Sequence, residues 1–153
     1  MGISSVDELS AVFTESFLEV ISTSAGIKLD AISSESDTEF CTMTAAICLN
    51  GRKPGMLFIS ANESTAKILC SYMTGVPIED VTKEDSIDAM CEFANMTAGN
   101  AKLRLGNSEF LFTLSPPFIL ESKEMSITTK KKIHVISTTF GKSDIKIKTK
   151  LVY

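Results

Sequence analysis

A chain of 153 residues, 44% hydrophobic and 22% charged, has the length and composition of one soluble domain that can bury a substantial core. No apolar run reaches the roughly 18–20 residues that a membrane span needs. The first residues lack the basic and apolar regions of a secretion signal, so the cytoplasm is the expected compartment and a membrane is not an expected partner. The net charge of −4 is uneven: residues 121–153 hold eight lysines against three acids, a local balance of +5, while the rest carries −9.

In chain order, Ser5 and Glu8 form the N-cap and third position of a capping box. Val6, Leu9, Val12, Phe13, Phe17, Val20 and Ile21 then recur every three or four residues, which predicts an amphipathic helix to about residue 24 with Gly26 closing it. Residues 27–33 read as a short strand. From residue 41, Met43, Ala45, Ile47 and Leu49 alternate with Thr42, Thr44, Ala46 and Cys48, a half-buried strand. A turn beginning at Asn50 and Gly51 leads into a second, more buried strand at 56–59, predicting a hairpin.

Ser60 and Glu63 resemble a second capping box, opening a helix that runs to Gly75 and is stopped by Pro77. Thr82 and Asp85 start a third helix that ends before Gly106. Strands are expected at 110–114, 118–120, 125–130 and 132–140, then a turn over 140–143 and a last strand at 144–152. Strands in runs rather than strict alternation predict an α+β fold, an antiparallel-rich sheet packed by about three helices, in a single domain spanning 1–153.

The lysines near the C-terminus alternate with Ile145, Ile147 and Leu151 and have no stacking aromatics among them. That is the pattern of a solvated sheet face, or an edge guarded by lysines, and no nucleic-acid partner is expected. Cys41, Cys48, Cys70 and Cys91 form no C-x2-C pair and are expected as reduced core thiols. The single histidine, His134, excludes His-based triads and multi-His zinc sites, and no phosphate-binding glycine loop is present.

The third helix carries the most informative residues. Offsets of four and three place Asp88, Glu92 and Asn95 on one face, with Gly99 beside them. On a helical wheel these four fall within roughly 60° of one another, about 110° from a stripe of Ile87, Cys91, Ala94, Ala98, Ala101 and Leu105 expected to face the core. Met90, Phe93 and Met96 read as packing or contact residues. Gly99 costs helix stability of about 1 kcal/mol relative to alanine, and would let another surface approach the backbone. Carboxylates and an asparagine on an exposed helix face are most often simply solvated. A carboxylate and an amide on a rigid helix can also grip a cation and hold a water.

Asp88-x3-Glu92-x2-Asn95, followed by Gly99 to Lys102, resembles the signature of the CheC/CheX/FliY chemotaxis phosphatases. That signature includes a later proline, near whose spacing Pro116 and Pro117 both fall. Members of the CheC type carry a second copy on the first helix; here that helix offers Glu15 and Glu19, with Leu18 and Ser22 where asparagine would be needed. The resemblance therefore implies a single-site, CheX-like phosphatase acting on the aspartyl phosphate of a CheY-like receiver domain. It implies that Asn95 orients the attacking water and that Glu92 pairs with the receiver's active-site lysine. Asp88 and Gly99 would support Glu92 or the contact rim. No cofactor bound by this chain is implied; Mg2+ would reside on the receiver. A homodimer through the sheet is also implied, for which the strand carrying Ile145, Ile147 and Leu151 is a candidate, and a CheD-like regulator is a further possible partner. The alternative reading is a non-catalytic receiver-binding adaptor or flagellar-switch-like scaffold of the same fold.

Overall fold

Local capping chemistry sets the three helices. The structure, a computed structural model, describes residues 3–32, 42–122, 134–142 and 144–153. Helix α1 (Val6–Ala25) begins with the expected box: Glu8 N–H donates to the Ser5 hydroxyl at 3.2 Å, and Ser5 N–H donates back to the Glu8 carboxylate at 3.2 Å. Gly26, at φ 68°, closes the helix and donates to the Ser22 carbonyl. A short strand β1 (Asp30–Ile32) follows, and then the hairpin of β2 (Met43–Gly51) and β3 (Gly55–Ala61).

Helix α2 (Glu63–Thr74) departs from the expected cap. Its N-cap is Asn62, whose side-chain carbonyl oxygen accepts from Thr65 N–H at 2.7 Å. Ser60 instead lies inside β3, where its hydroxyl shares a 2.8 Å hydrogen bond with Thr44 on the neighbouring strand. Strand pairing wins because both hydroxyls are buried and each would otherwise lose a partner. A short 3-10 turn at Ile78–Asp80 leads into α3 (Lys83–Leu105), capped reciprocally by Thr82 and Asp85 at 3.1 and 3.0 Å.

The last strands are β4 (Phe112–Leu114), β5 (Phe118–Glu121), β6 (Val135–Lys142) and β7 (Ile145–Val152). The strand expected at 125–130 lies outside the described residues, as do Cys41 and Ser143. The turn expected over 140–143 moves toward the C-terminus: Gly141 and Lys142 continue β6 and pair with Lys146 and Ile145.

Among the described residues all pairings are antiparallel, in the order β1-β6-β7-β3-β2-β4, with β5 also on β2. Strand β4 pairs with one end of β2 and β5 with the other, so together they make one interrupted neighbour. Leu114 lies opposite Leu49 and Phe118 opposite Ala46, which leaves residues 115–117 facing only Ile47 and Cys48. That extra residue is a bulge, and it sits where Pro116 and Pro117 have no N–H to give the ladder. Ser115 compensates, its hydroxyl accepting from Cys48 N–H at 2.8 Å.

Strand β7 corrects two expectations. It is an interior strand, paired on both sides by β3 and β6, rather than an edge guarded by lysines. Lys148 is buried instead of solvated. The strand proposed for dimer pairing has therefore spent its backbone hydrogen bonds within the sheet.

The core lies between the sheet and the helices. Phe17 of α1 meets Phe140 of β6 at 4.9 Å between ring centroids, and Phe13 meets Phe112 of β4 at 5.9 Å. Helix α3 runs between α1 and α2 and lies against β2 and β3. It is thus held on every side but one.

The caps can be tested by substitution. Asn62→Ala is expected to destabilise the protein by about 1 kcal/mol in urea unfolding, while Glu63→Ala costs less. The Ser4 and Ser5 amides bonded to Glu8, and the Thr82 amide bonded to Asp85, hold both carboxyls below the ordinary carboxylate range. Depressed native values mean stability that is present above about pH 4 and lost as the pH falls through those lower values. The double variant Glu8→Gln, Asp85→Asn should flatten the acid limb of a plot of melting temperature against pH.

Candidate functional site

The outward face of α3 follows from what the other faces bury. Ala89, Met90, Phe93, Ala94, Thr97, Ala98, Ala101 and Leu105 are all buried. This rotates the expected core stripe: Ile87 and Cys91 are only half-buried, while Met90 and Phe93 are fully enclosed. A helix with neighbours on three sides buries a wider arc than a surface helix does. Small side chains at 89, 94, 98 and 101 let those neighbours approach closely.

What remains outside is the predicted face. Asp88, Glu92 and Asn95 are exposed, and Gly99 is half-buried. Among the described residues, no hydrogen bond or ion pair engages the Asp88, Glu92 or Asn95 side chains, and Lys83, at the start of the same helix, is paired with Glu121 at 2.9 Å. A Cβ placed on Gly99 would meet nothing within 4 Å, so the notch in this face opens to solvent. Leu103, four residues beyond Gly99, extends the same stripe and is 84% exposed. The sequence reading missed it, although its i+4 offset from Gly99 was the available signal.

The two first-helix acids of the absent second copy have a different use. Arg104, at the end of α3, forms ion pairs with Glu15 at 3.1 Å and with Glu19, and its Nε donates to Asn100 at 2.8 Å. Glu15 and Glu19 therefore fasten α1 to α3 instead of standing free. His134 has an exposed side chain and joins the sheet through its backbone, exchanging hydrogen bonds with Tyr153. Cys48, Cys70 and Cys91 are free thiols, but only Cys70 of these three is fully buried. The described residues gather no group of three His, Cys, Asp or Glu side chains with which to ligate a metal.

Chemically, the face offers two carboxylates and a neutral amide, fixed on a rigid helix and without partners among the described residues. Such a set can bind a cation from another molecule and orient a water molecule, yet it lacks a nucleophile with an adjacent base.

Comparison with known proteins places this architecture. Residues 43–141 match the family model described as chemotaxis phosphatase CheX. Among solved structures, a CheC-like superfamily protein from Shewanella superposes with a TM-score of 0.81 at 22% identity, covering 97% of this chain and 98% of that one. The chemotaxis protein CheX from Vibrio vulnificus superposes at 0.79 with 23% identity, covering 94% and 97%. CheX from Borrelia burgdorferi, solved in a complex with CheY, BeF3 and Mg2+, superposes at 0.70 with 20% identity, covering 94% and 96%. At these identities the structural likeness speaks for the fold. None of the curated proteins compared with the chain matches it.

Gly99→Ala is expected to raise the melting temperature by a few degrees, since it adds about 1 kcal/mol of helix propensity into open space. Arg104→Ala should cost no more than about 1 kcal/mol, because its ion pairs are largely solvated. Thermal unfolding of both variants checks these values.

Proposed function

The chain belongs to the chemotaxis phosphatase CheX family, and on that premise we propose that it hydrolyses the aspartyl phosphate of a CheY-like receiver domain with Asn95 and Glu92 as its working residues. The observation that carries this reading is the pair itself. A carboxylate and an amide three residues apart stand on the open face of an otherwise enclosed helix, with no partner among the described residues. A fold shared with a CheX solved in complex with CheY supports the choice of partner.

The chemistry asked of the chain is small. In this reading the receiver carries the phosphoryl group and the Mg2+, so the phosphatase has to deliver a water in line with the breaking P–O bond. The Asn95 amide accepts a hydrogen bond from that water through its carbonyl oxygen and donates through its NH2, and it does not titrate at working pH. Water oxygen attacks phosphorus, the receiver's aspartate leaves as a carboxylate, and the water's proton passes to the departing phosphate. Glu92 pairs with the receiver's active-site lysine, which docks α3 and draws the ammonium away from the phosphoryl oxygens. Asp88 and Gly99 belong to the contact rim.

The homodimer implied by the resemblance remains part of the proposal. With β7 interior, pairing would have to use another strand.

Asn95→Ala is expected to lower kcat for phosphate release on the order of 100-fold while leaving affinity for the phosphorylated receiver within about twofold. Glu92→Gln should chiefly raise KM and weaken its dependence on salt. Full activity in Asn95→Ala would sink the assignment, and so would a receiver whose phosphate decays equally fast with and without the wild-type chain.

A further inference from the structure

Beside the site lies a groove that the proposed chemistry does not use. It has a volume of about 390 Å3 and runs between the end of α2 and the first turns of α3. Its floor is apolar: Cys70, Val81 and Ala89 form a small buried cluster separate from the main core, with Met73 packed against it. One wall of the groove is acidic, made by Asp85, Asp88 and Glu92. Among the described residues, no lysine or arginine lines it.

The opposite lip, Thr74 and Val76, is held in place by a small hydrogen-bond network. Gly75, at φ 77°, donates to the Ser71 carbonyl at 2.8 Å. The Ser71 hydroxyl donates to the Val76 carbonyl at 2.6 Å, and Val76 N–H donates to the Thr74 hydroxyl at 3.3 Å. The groove is therefore built before any ligand arrives, which lowers the entropy cost of filling it.

Its chemistry selects the occupant. An apolar floor suits a chain of methylenes, and a carboxylate rim suits a cation at the end of that chain. The surrounding field points the same way: residues 79–92 contain six acids and one lysine, and that lysine, Lys83, is paired with Glu121. Asp85 already accepts from the Thr82 amide, whereas Asp88 has no hydrogen-bond or ion-pair partner among the described residues. Glu92 borders both the groove and the Asn95 face, so the groove lies within reach of a molecule that meets Asn95.

We propose that this groove is a second anchor for the receiver, seating one of its lysine or arginine side chains other than the active-site lysine, with the stem over Val81 and Ala89 and the cation at Asp88. The proposal rests on the receiver-phosphatase reading above and refines it. Asp88 becomes a specificity residue with its own contact, in place of a support for Glu92.

The test uses the full chain and a CheY-type receiver whose phosphate the wild-type protein releases. Asp88→Lys is expected to raise KM about tenfold or more with kcat within about twofold, while Glu84→Lys, the same charge change on an exposed first-turn residue outside the groove, shifts KM by no more than about twofold. Val76→Trp, which covers the groove from its solvated lip, should raise KM like Asp88→Lys. A receiver variant with one basic residue changed to aspartate should recover its affinity with Asp88→Lys, naming the seated side chain. Equal effects of Asp88→Lys and Glu84→Lys would reduce the rim to general steering and overturn the proposal. A large effect of Val76→Trp with none from Asp88→Lys would mean an apolar occupant and also overturn it. Rescue by the active-site lysine alone would fold Asp88 into the Glu92 contact and overturn it as well. In each of these cases the loss of kcat in Asn95→Ala stands independently, so failure of the groove is distinguishable from failure of the phosphatase reading.

Discussion

Ala89, Phe93, Ala94, Ala98 and Ala101 bury one side of α3 beneath α1, α2 and the sheet, and alanine at four of these positions allows the flanking elements to close in. A helix held in this way cannot roll or translate without breaking contacts on three sides at once. Its remaining face is therefore presented at a set angle. For a reaction whose protein contribution is mostly the placing of one water, an error of an ångström is costly, and the packing beneath the helix matters as much as the amide on top of it.

The acids on the described helices divide into two groups by whether they have partners. Glu8 and Asp85 complete capping boxes, and Glu15 and Glu19 bind Arg104. These contribute to holding the helices. Asp88 and Glu92 make no contact of that kind among the described residues and gain nothing for the fold by being charged. Two carboxylates left bare beside each other on a rigid surface repel one another and favour an incoming cation. The adjoining groove, with its acidic wall and apolar floor, extends the same preference away from Asn95.

Much of this was legible locally. The caps at Ser5, Gly26, Thr82 and Asp85, the hairpin of β2 and β3, and the shared face of Asp88, Glu92, Asn95 and Gly99 all depend on residues within a few positions of one another. The misses have a common origin. Ser60 looked like a cap because Glu63 follows it, yet its hydroxyl is taken by Thr44, sixteen residues away. The wheel favoured Ile87 and Cys91 because they are apolar, but the buried arc was drawn by α1 and α2 together and passes through Met90, Phe93 and Thr97.

The sequence by itself determined where helices begin and end, and that an acid, an acid and an amide share one helical face, because hydrogen bonds and side-chain offsets within a turn or two decide both. Only the tertiary structure decided how wide an arc of α3 is buried, that β7 lies inside the sheet with its lysines, and that Val76, Val81 and Ala89 meet beside Asp88 to make a groove. Those outcomes depend on partners that are distant in the chain, and a period of 3.6 or 2 residues carries no record of which neighbour will arrive.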